Sequence, residues 1–309
     1  MSTATGGRPR PVRRPGDIAF LGTSFGSALL ILAILAGVAG FLIVQALPAL
    51  TADAAEVTGG RGFLGYVWPL VAGTVIASVI AMGLATPVAV GIALFVSHYA
   101  PRRLGTTVGF VIDLLAAVPS VVFGMWGWQV LAPQLVPLFG WLERYLGWIP
   151  IFAEGSNTGR TLMTASVVLA VMILPIITAV SREVFLQTPR LHEEAALALG
   201  ATRWEMIRTA VLPFGKPGVI GGTMLGLGRA LGETMAVAII LSTGGFSWNL
   251  IGPGNSTIPA EIALNFPEAA GLRLSELIAA GLVLFVITLA VNLVARWIVA
   301  RRAAFSGAN

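Results

Sequence analysis

Two charged side chains stand four residues apart in a run that is otherwise apolar: Arg229 and Glu233, within 217–242. Charge inside an apolar run of spanning length is costly and marks a working position. On a helix the two side chains can pair with each other. Two chemistries follow. One is an ion pair that only locks helices together. The other is a guanidinium whose planar, permanently charged donors meet an oxyanion, with Glu233 holding it in place or competing with the anion and so releasing it. A buried pair seldom stabilises more than the apolar residues that could replace it, which favours the second.

The same helix carries two lines of glycine. Gly222, Gly226, Arg229 and Glu233 fall within a stripe about 60° wide. Gly222 and Gly226 form a small-xxx-small pair that lets a neighbour come close. Gly228 and Gly232, extended by Gly221, form a second pair on another face. This predicts a helix packed on two sides, its charges turned toward protein or a cavity. Two further candidates lie upstream. Asp113 is an interfacial carboxylate or a gating partner for a basic residue. Ser120 follows Pro119, where a helix breaks; its hydroxyl lines a pathway or bonds back to its own helix.

The elements that must position these residues are membrane helices. Of 309 residues, 56% are hydrophobic and 11% charged, against about 25% charged in a soluble domain. The net charge of +5 is not gathered on a soluble face, so nucleic acid is not implied. The chain has no cysteine, which excludes a disulfide framework, a thiol nucleophile and a thiolate metal site. His98 and His192 are too far apart to suggest a metal site and are read as interfacial polar residues.

Residues 1–17, rich in Pro, Gly and Arg, predict a disordered basic arm. Apolar runs follow at about 20–47, 69–97, 107–131, 161–181, 217–242 and 275–300. Each fits the roughly 20 residues that cross a bilayer, and the first is too long for a signal-peptide core. Pro87, Pro119 and Pro175 fall inside three of them. Fourteen basic residues lie on one side of this layout and four on the other, with Arg229 between. The positive-inside rule then places both termini in the cytoplasm. Residues 132–160, with Trp141, Tyr145 and Trp148, predict a short interfacial helix or loop. The loop 244–274, rich in Gly, Pro and Asn, offers a surface for a soluble partner outside.

The largest inside loop is 183–216. Thr188 before Pro189 predicts a helix start, Gly200 a helix stop, and Thr202 with Glu205 a capping box for a second helix. That helix is expected to end before Pro213. Alanines 195 and 196 beside the Gly200 turn let another protein approach the backbone closely; a plain connecting loop is the bland alternative. Flanking membrane helices argue against a DNA-binding helix-turn-helix.

This hairpin resembles the EAA motif of bacterial ABC importer permeases, carried here by Glu194, Ala195, Ala196, Gly200, Leu212 and Pro213, with Ala210 where the family has isoleucine. The resemblance implies that the hairpin docks on separate ATPase subunits. GRALGETMA at 228–236 and DLLAAVPSVVFG at 113–124 resemble the phosphate-specific permeases, and the Met after Glu-Thr is similar to the PstC-type subunit. That family implies Arg229 and Glu233 in phosphate passage. It implies an all-α integral membrane protein of six transmembrane helices in the MetI-like fold, spanning 18–309 with a core of about 69–300. The partners implied are a second, related permease, two ATPase subunits and an extracytoplasmic phosphate-binding protein.

No phosphate-binding loop occurs: Gly215-Lys216-Pro217 lacks the upstream glycine and the hydroxyl. Gly226-Leu-Gly228 lies in a span, with Leu231 where a dinucleotide fingerprint needs its third glycine. No intramembrane chain of carboxylates or histidines suggests proton coupling. The chain is expected not to be an enzyme; ATP and magnesium belong to partner subunits in a bacterial plasma membrane. Alternatives are a permease for sulfate or molybdate, a signalling subunit that reports phosphate supply, and a secondary transporter.

Overall fold

A computed structural model describes residues 15–241 and 247–303. The basic arm expected over 1–17 lies outside the described residues as far as residue 14. Residues 15–17 already belong to the first helix, α1 (Pro15–Thr51). Proline suits a first helical position, and Asp17 sits in the first turn, where the helix dipole favours a carboxylate.

All described elements are helical. After α1 come α2 (Gly62–Leu94), prolonged by a π-turn at Phe95–Tyr99, and α3 (Arg102–Ala116). Next, α4 (Ser120–Trp126) runs through a π-turn at Gly127–Leu131 into α5 (Ala132–Leu146). Then follow α6 (Leu162–Leu186), α7 (Arg190–Ala198), α8 (Arg203–Met206), α9 (Leu212–Gly232) and α10 (Met235–Ile240). The chain closes with α11 (Ile258–Asn265) and α12 (Leu272–Ala303). Five stretches among the described residues are long and apolar enough to cross a membrane: 19–51, 62–99, 120–146, 162–186 and 272–297. The sixth expected run, 217–242, falls on α9 and α10, which are interrupted at Glu233 and Thr234. The six-helix, all-α plan therefore holds.

The third crossing is displaced from its expected place. It is 120–146, not 107–131, and the stretch read as interfacial from residue 132 is its second half. Pro119 is the cause. It disfavours helical geometry in the residue before it, so α3 stops and a new helix starts at Ser120. The preceding helix α3 is separate and sits on α6 through small residues. A Cβ on Gly109 would lie 3.1 Å from the Arg182 guanidinium carbon. Pro87 and Pro175 interrupt nothing; α2 and α6 pass through them.

The core is α6 held between two stripes of small residues. On α2, Ala77, Ala81, Ala85 and Ala89 recur every fourth position and are buried against α6. On the other flank, Gly222 of α9 faces Val180, and Gly226 faces Ile177 and Ile173. Without a hydrophobic drive between helices in lipid, such close backbone approach is what holds them together. At the end opposite the α7–α8 hairpin, buried Glu276 accepts from the Thr58 backbone at 2.9 Å, the Thr58 hydroxyl at 2.7 Å and Arg273 at 2.9 Å. Arg273 also pairs with Glu261 at 2.7 Å and lies over the Tyr66 ring. This cluster ties the α1–α2 loop, α2 and α11 to α12.

Candidate functional site

Arg229 and Glu233 do not pair. The helix ends at Gly232, and Glu233 is extended (φ −69, ψ 122), so the two are no longer one turn apart on a common helix. Glu233 instead turns to α10, where its Oε1 accepts from the Ala236 backbone N–H at 3.1 Å. It thereby satisfies one of the free amides at the start of that helix. The far end of α10 is capped by a residue with no obvious sequence signal for it. Arg160 donates from Nε to the Ile240 carbonyl at 3.1 Å, and from Nη2 to the carbonyls of Ile239 at 3.3 Å and Leu241 at 3.1 Å. A six-residue helix thus has a carboxylate at its positive end and a guanidinium at its negative end.

The two motifs of the sequence meet here. Gly124 of α4 lies against α10 so closely that a Cβ would stand 2.7 Å from Ala236 Cα. The Pro119–Ser120 break starts α4 at this level of the molecule. Ser120 is half-buried and its hydroxyl bonds to no described residue, so it is not satisfied by its own helix. Asp113 lies near the end of α3. It is exposed on α3 and makes no ion pair with a described residue.

Arg229 lines an open groove of about 880 Å³ between α6, α9 and α12. Among the described residues nothing pairs with its guanidinium. Of the two glycine lines beside it, one is packed within this chain. Gly222 and Gly226 are packed, but a Cβ on Gly221, Gly228 or Gly232 would meet nothing within 4 Å. The second glycine line is an open face of this chain, and Gly221 and Gly228 form part of the groove wall.

The hairpin at the other end is built largely as its letters require. Gly200 has φ +84. Its N–H reaches the Leu197 carbonyl at 3.0 Å, and Ala201 N–H reaches the Ala196 carbonyl at 3.2 Å. That pair of bonds is the Schellman stop. Thr202 and Glu205 form the full capping box. Backbone and hydroxyl hydrogen bonds from Thr202 hold the Glu205 carboxyl below the usual carboxylate range. Two details differ. Pro189, not Thr188, holds the N-cap position of α7, and the Thr188 hydroxyl is buried without a described partner. The second helix does not end before Pro213. A π-turn at Ile207–Val211 widens the helix, and Pro213 falls in the first turn of α9, where its missing N–H is tolerated.

Glu194 and Ala195 are exposed, Ala196 is half-buried against the Phe185–Met206 cluster, and Leu199 stands out beside Gly200. A hollow of about 530 Å³ lies between α7 and the start of α9, lined in part by Ala195, Ala196, Leu199 and Phe214. The hairpin is also tied to α2: His98 Nε2 lies 3.5 Å from Glu193 Oε1, and His98 Nδ1 lies 2.7 Å from the Ser97 hydroxyl. Only proximity in the fold reveals this contact. No group of three or more metal-ligating side chains occurs among the described residues.

This arrangement, a bundle interrupted at its charged helix and bearing a Gly-stopped hairpin, is that of a transport permease. Residues 85–303 match the family described as binding-protein-dependent transport system inner membrane component, and the chain belongs to it. Among its relatives, the "Phosphate transport system permease protein PstC 2" of Mycobacterium tuberculosis is 47% identical over 301 residues, 93% of this chain and 92% of that protein. The "Phosphate transport system permease protein PstC" of Mesorhizobium japonicum is 39% identical over 314 residues, covering 94% and 92%. The fold matches a bacterial ABC transporter involved in importing the acidic polysaccharide alginate, with a TM-score of 0.57 at 18% identity, over 91% of this chain and 98% of that one.

Proposed function

We propose that this chain is the PstC-type permease subunit of an ATP-driven importer and passes inorganic phosphate into the cytoplasm. The carrying observation is Arg229: a guanidinium without a partner among the described residues, on an open groove, beside a line of glycines unpacked within this chain. Relatives that share most of the chain's length are named as phosphate permeases.

In this reading the open glycine face meets a second, related permease, and the path runs between the two. The exposed Glu194, Ala195 and Gly200 turn, with Leu199, docks on an ATPase subunit, where ATP and magnesium are handled. A phosphate-binding protein delivers from outside, and both termini lie in the cytoplasm. Glu233 has two positions available. While α9 is broken, it caps α10 and leaves Arg229 free for the anion. If α9 and α10 straighten into one helix, Glu233 returns to one turn above Arg229, competes for the guanidinium and frees the phosphate. Arg160 and Gly124 favour the broken form. Ser120, with its free hydroxyl, lines the same level; Asp113 is more remote.

The test is labelled phosphate uptake in cells lacking the protein, complemented by wild type, Arg229→Gln, and Arg229→Gln/Glu233→Gln, with membrane abundance measured for each. Wild type is expected to restore uptake that sulfate and molybdate do not compete with, and both variants to be inserted but inactive. Normal transport by the double variant would remove Arg229 from the pathway. Uptake inhibited by sulfate would move the substrate to another oxyanion.

A further inference from the structure

The groove that holds Arg229 contains a second guanidinium. Arg296 of α12 lines the same cavity, with Asn292 one turn before it. Neither has a charged partner or hydrogen bond among the described residues. Arg296 lines the same groove as Gly221 and Arg229. The helix α12 runs from the Glu276 cluster toward the hairpin, which puts Arg296, near its far end, toward the hairpin side of that groove. Asn292 and Arg296 are exposed on the open side of a mostly apolar groove, where a guanidinium without a partner among the described residues offers an oxyanion charge-assisted donors. An asparagine one turn away adds both an N–H donor and an acceptor, which suits a partly protonated phosphate bearing both P–O⁻ and P–OH.

We propose that Asn292 and Arg296 form a second phosphoryl-oxyanion site at the hairpin end of this groove, to which an anion held at Arg229 passes. The proposal rests on the reading of the groove as a phosphate path. Its ligand is a phosphate oxyanion, either the free ion in transit or the headgroup of an anionic lipid.

The chain has no cysteine, and a side chain at Gly221 meets nothing within 4 Å. Gly221→Cys therefore places this chain's one thiol on the groove wall. The assembled importer carrying it would be placed in vesicles of phosphatidylcholine alone, or of phosphatidylcholine with phosphatidylglycerol, and treated with a thiol reagent. Inorganic phosphate is expected to slow labelling several-fold in both lipids. Adding Arg296→Gln is expected to abolish that protection. On the wild-type background Arg296→Gln should lower phosphate uptake roughly tenfold, the loss of about one charge-assisted hydrogen bond, and Arg296→Lys should restore part of it. Protection by phosphatidylglycerol without added phosphate, lost in Arg296→Gln, supports the site with lipid as its occupant. Labelling that neither phosphate nor lipid changes, with normal uptake by Arg296→Gln, overturns the site. If Arg229→Gln abolishes uptake in that same series, the phosphate path survives and only the second site falls. If Arg229→Gln also transports normally, both fall.

Discussion

The two glycine lines of α9 make opposite demands on a methyl group, and a pair of Gly→Ala changes separates them. At Gly226 a Cβ would stand 2.9 Å from both Cγ1 and Cδ1 of Ile177, and 3.6 Å from Ile173 Cβ. Ile177 and Ile173 are fully buried, so neither has free space to yield into. Forcing such a contact costs about 1–3 kcal/mol. The alanine recovers about 1 kcal/mol of helix propensity, so Gly226→Ala should destabilise by roughly 0–2 kcal/mol, and Gly226→Val by more, since its two extra carbons enter the same contact. At Gly228 the methyl meets nothing within 4 Å, so only the propensity term remains and Gly228→Ala should be neutral or stabilising by up to about 1 kcal/mol. Thermal unfolding of the purified permease, followed by tryptophan fluorescence in one detergent, compares the variants directly. Equal melting of Gly226→Val and Gly228→Val, or a lower midpoint for the Gly228 variant, would refute the assignment of Gly226 to the α6 contact and of Gly228 to the open face.

Other outcomes follow from the caps. Arg160→Met should leave the carbonyls of residues 239–241 without their donor, at a cost on the order of 2–3 kcal/mol, and hydrogen exchange at the end of α10 should rise with little change in the hairpin. Because Glu205 titrates below an ordinary carboxyl when folded, its contribution is present above the unfolded value and lost as pH falls through the lowered one. The protection of amides at the start of α8, taken relative to their intrinsic exchange rate at each pH, should therefore fall selectively in mild acid. Thr202→Val should remove that pH dependence, and a flat profile in wild type would count against the capping box.

What the sequence determined by itself is what neighbours in the chain decide. Apolar length set the crossings. Gly200 carries a positive φ no side chain favours, and Thr202 finds Glu205 three residues on, so the hairpin is legible locally. The alanine stripe at 77, 81, 85 and 89 is equally local, a close-packing face that carries no charge. Pro119 showed the break in the third run, yet which side of it crosses depended on where α3 could lie, over Arg182 of α6. The decisive difference is Glu233. Within nine residues of sequence, Arg229 is its only cationic partner, and a continuous helix is the economical expectation. The tertiary structure gives Glu233 the amides of α10 instead, because Arg160 from about 80 residues upstream and Gly124 from α4 hold that short helix in place. A side chain with two possible partners is assigned by groups that only the folded chain brings near. That is why Arg229 could be found from its letters, whereas its lack of a partner among the described residues, and the second arginine that lines its groove, could not.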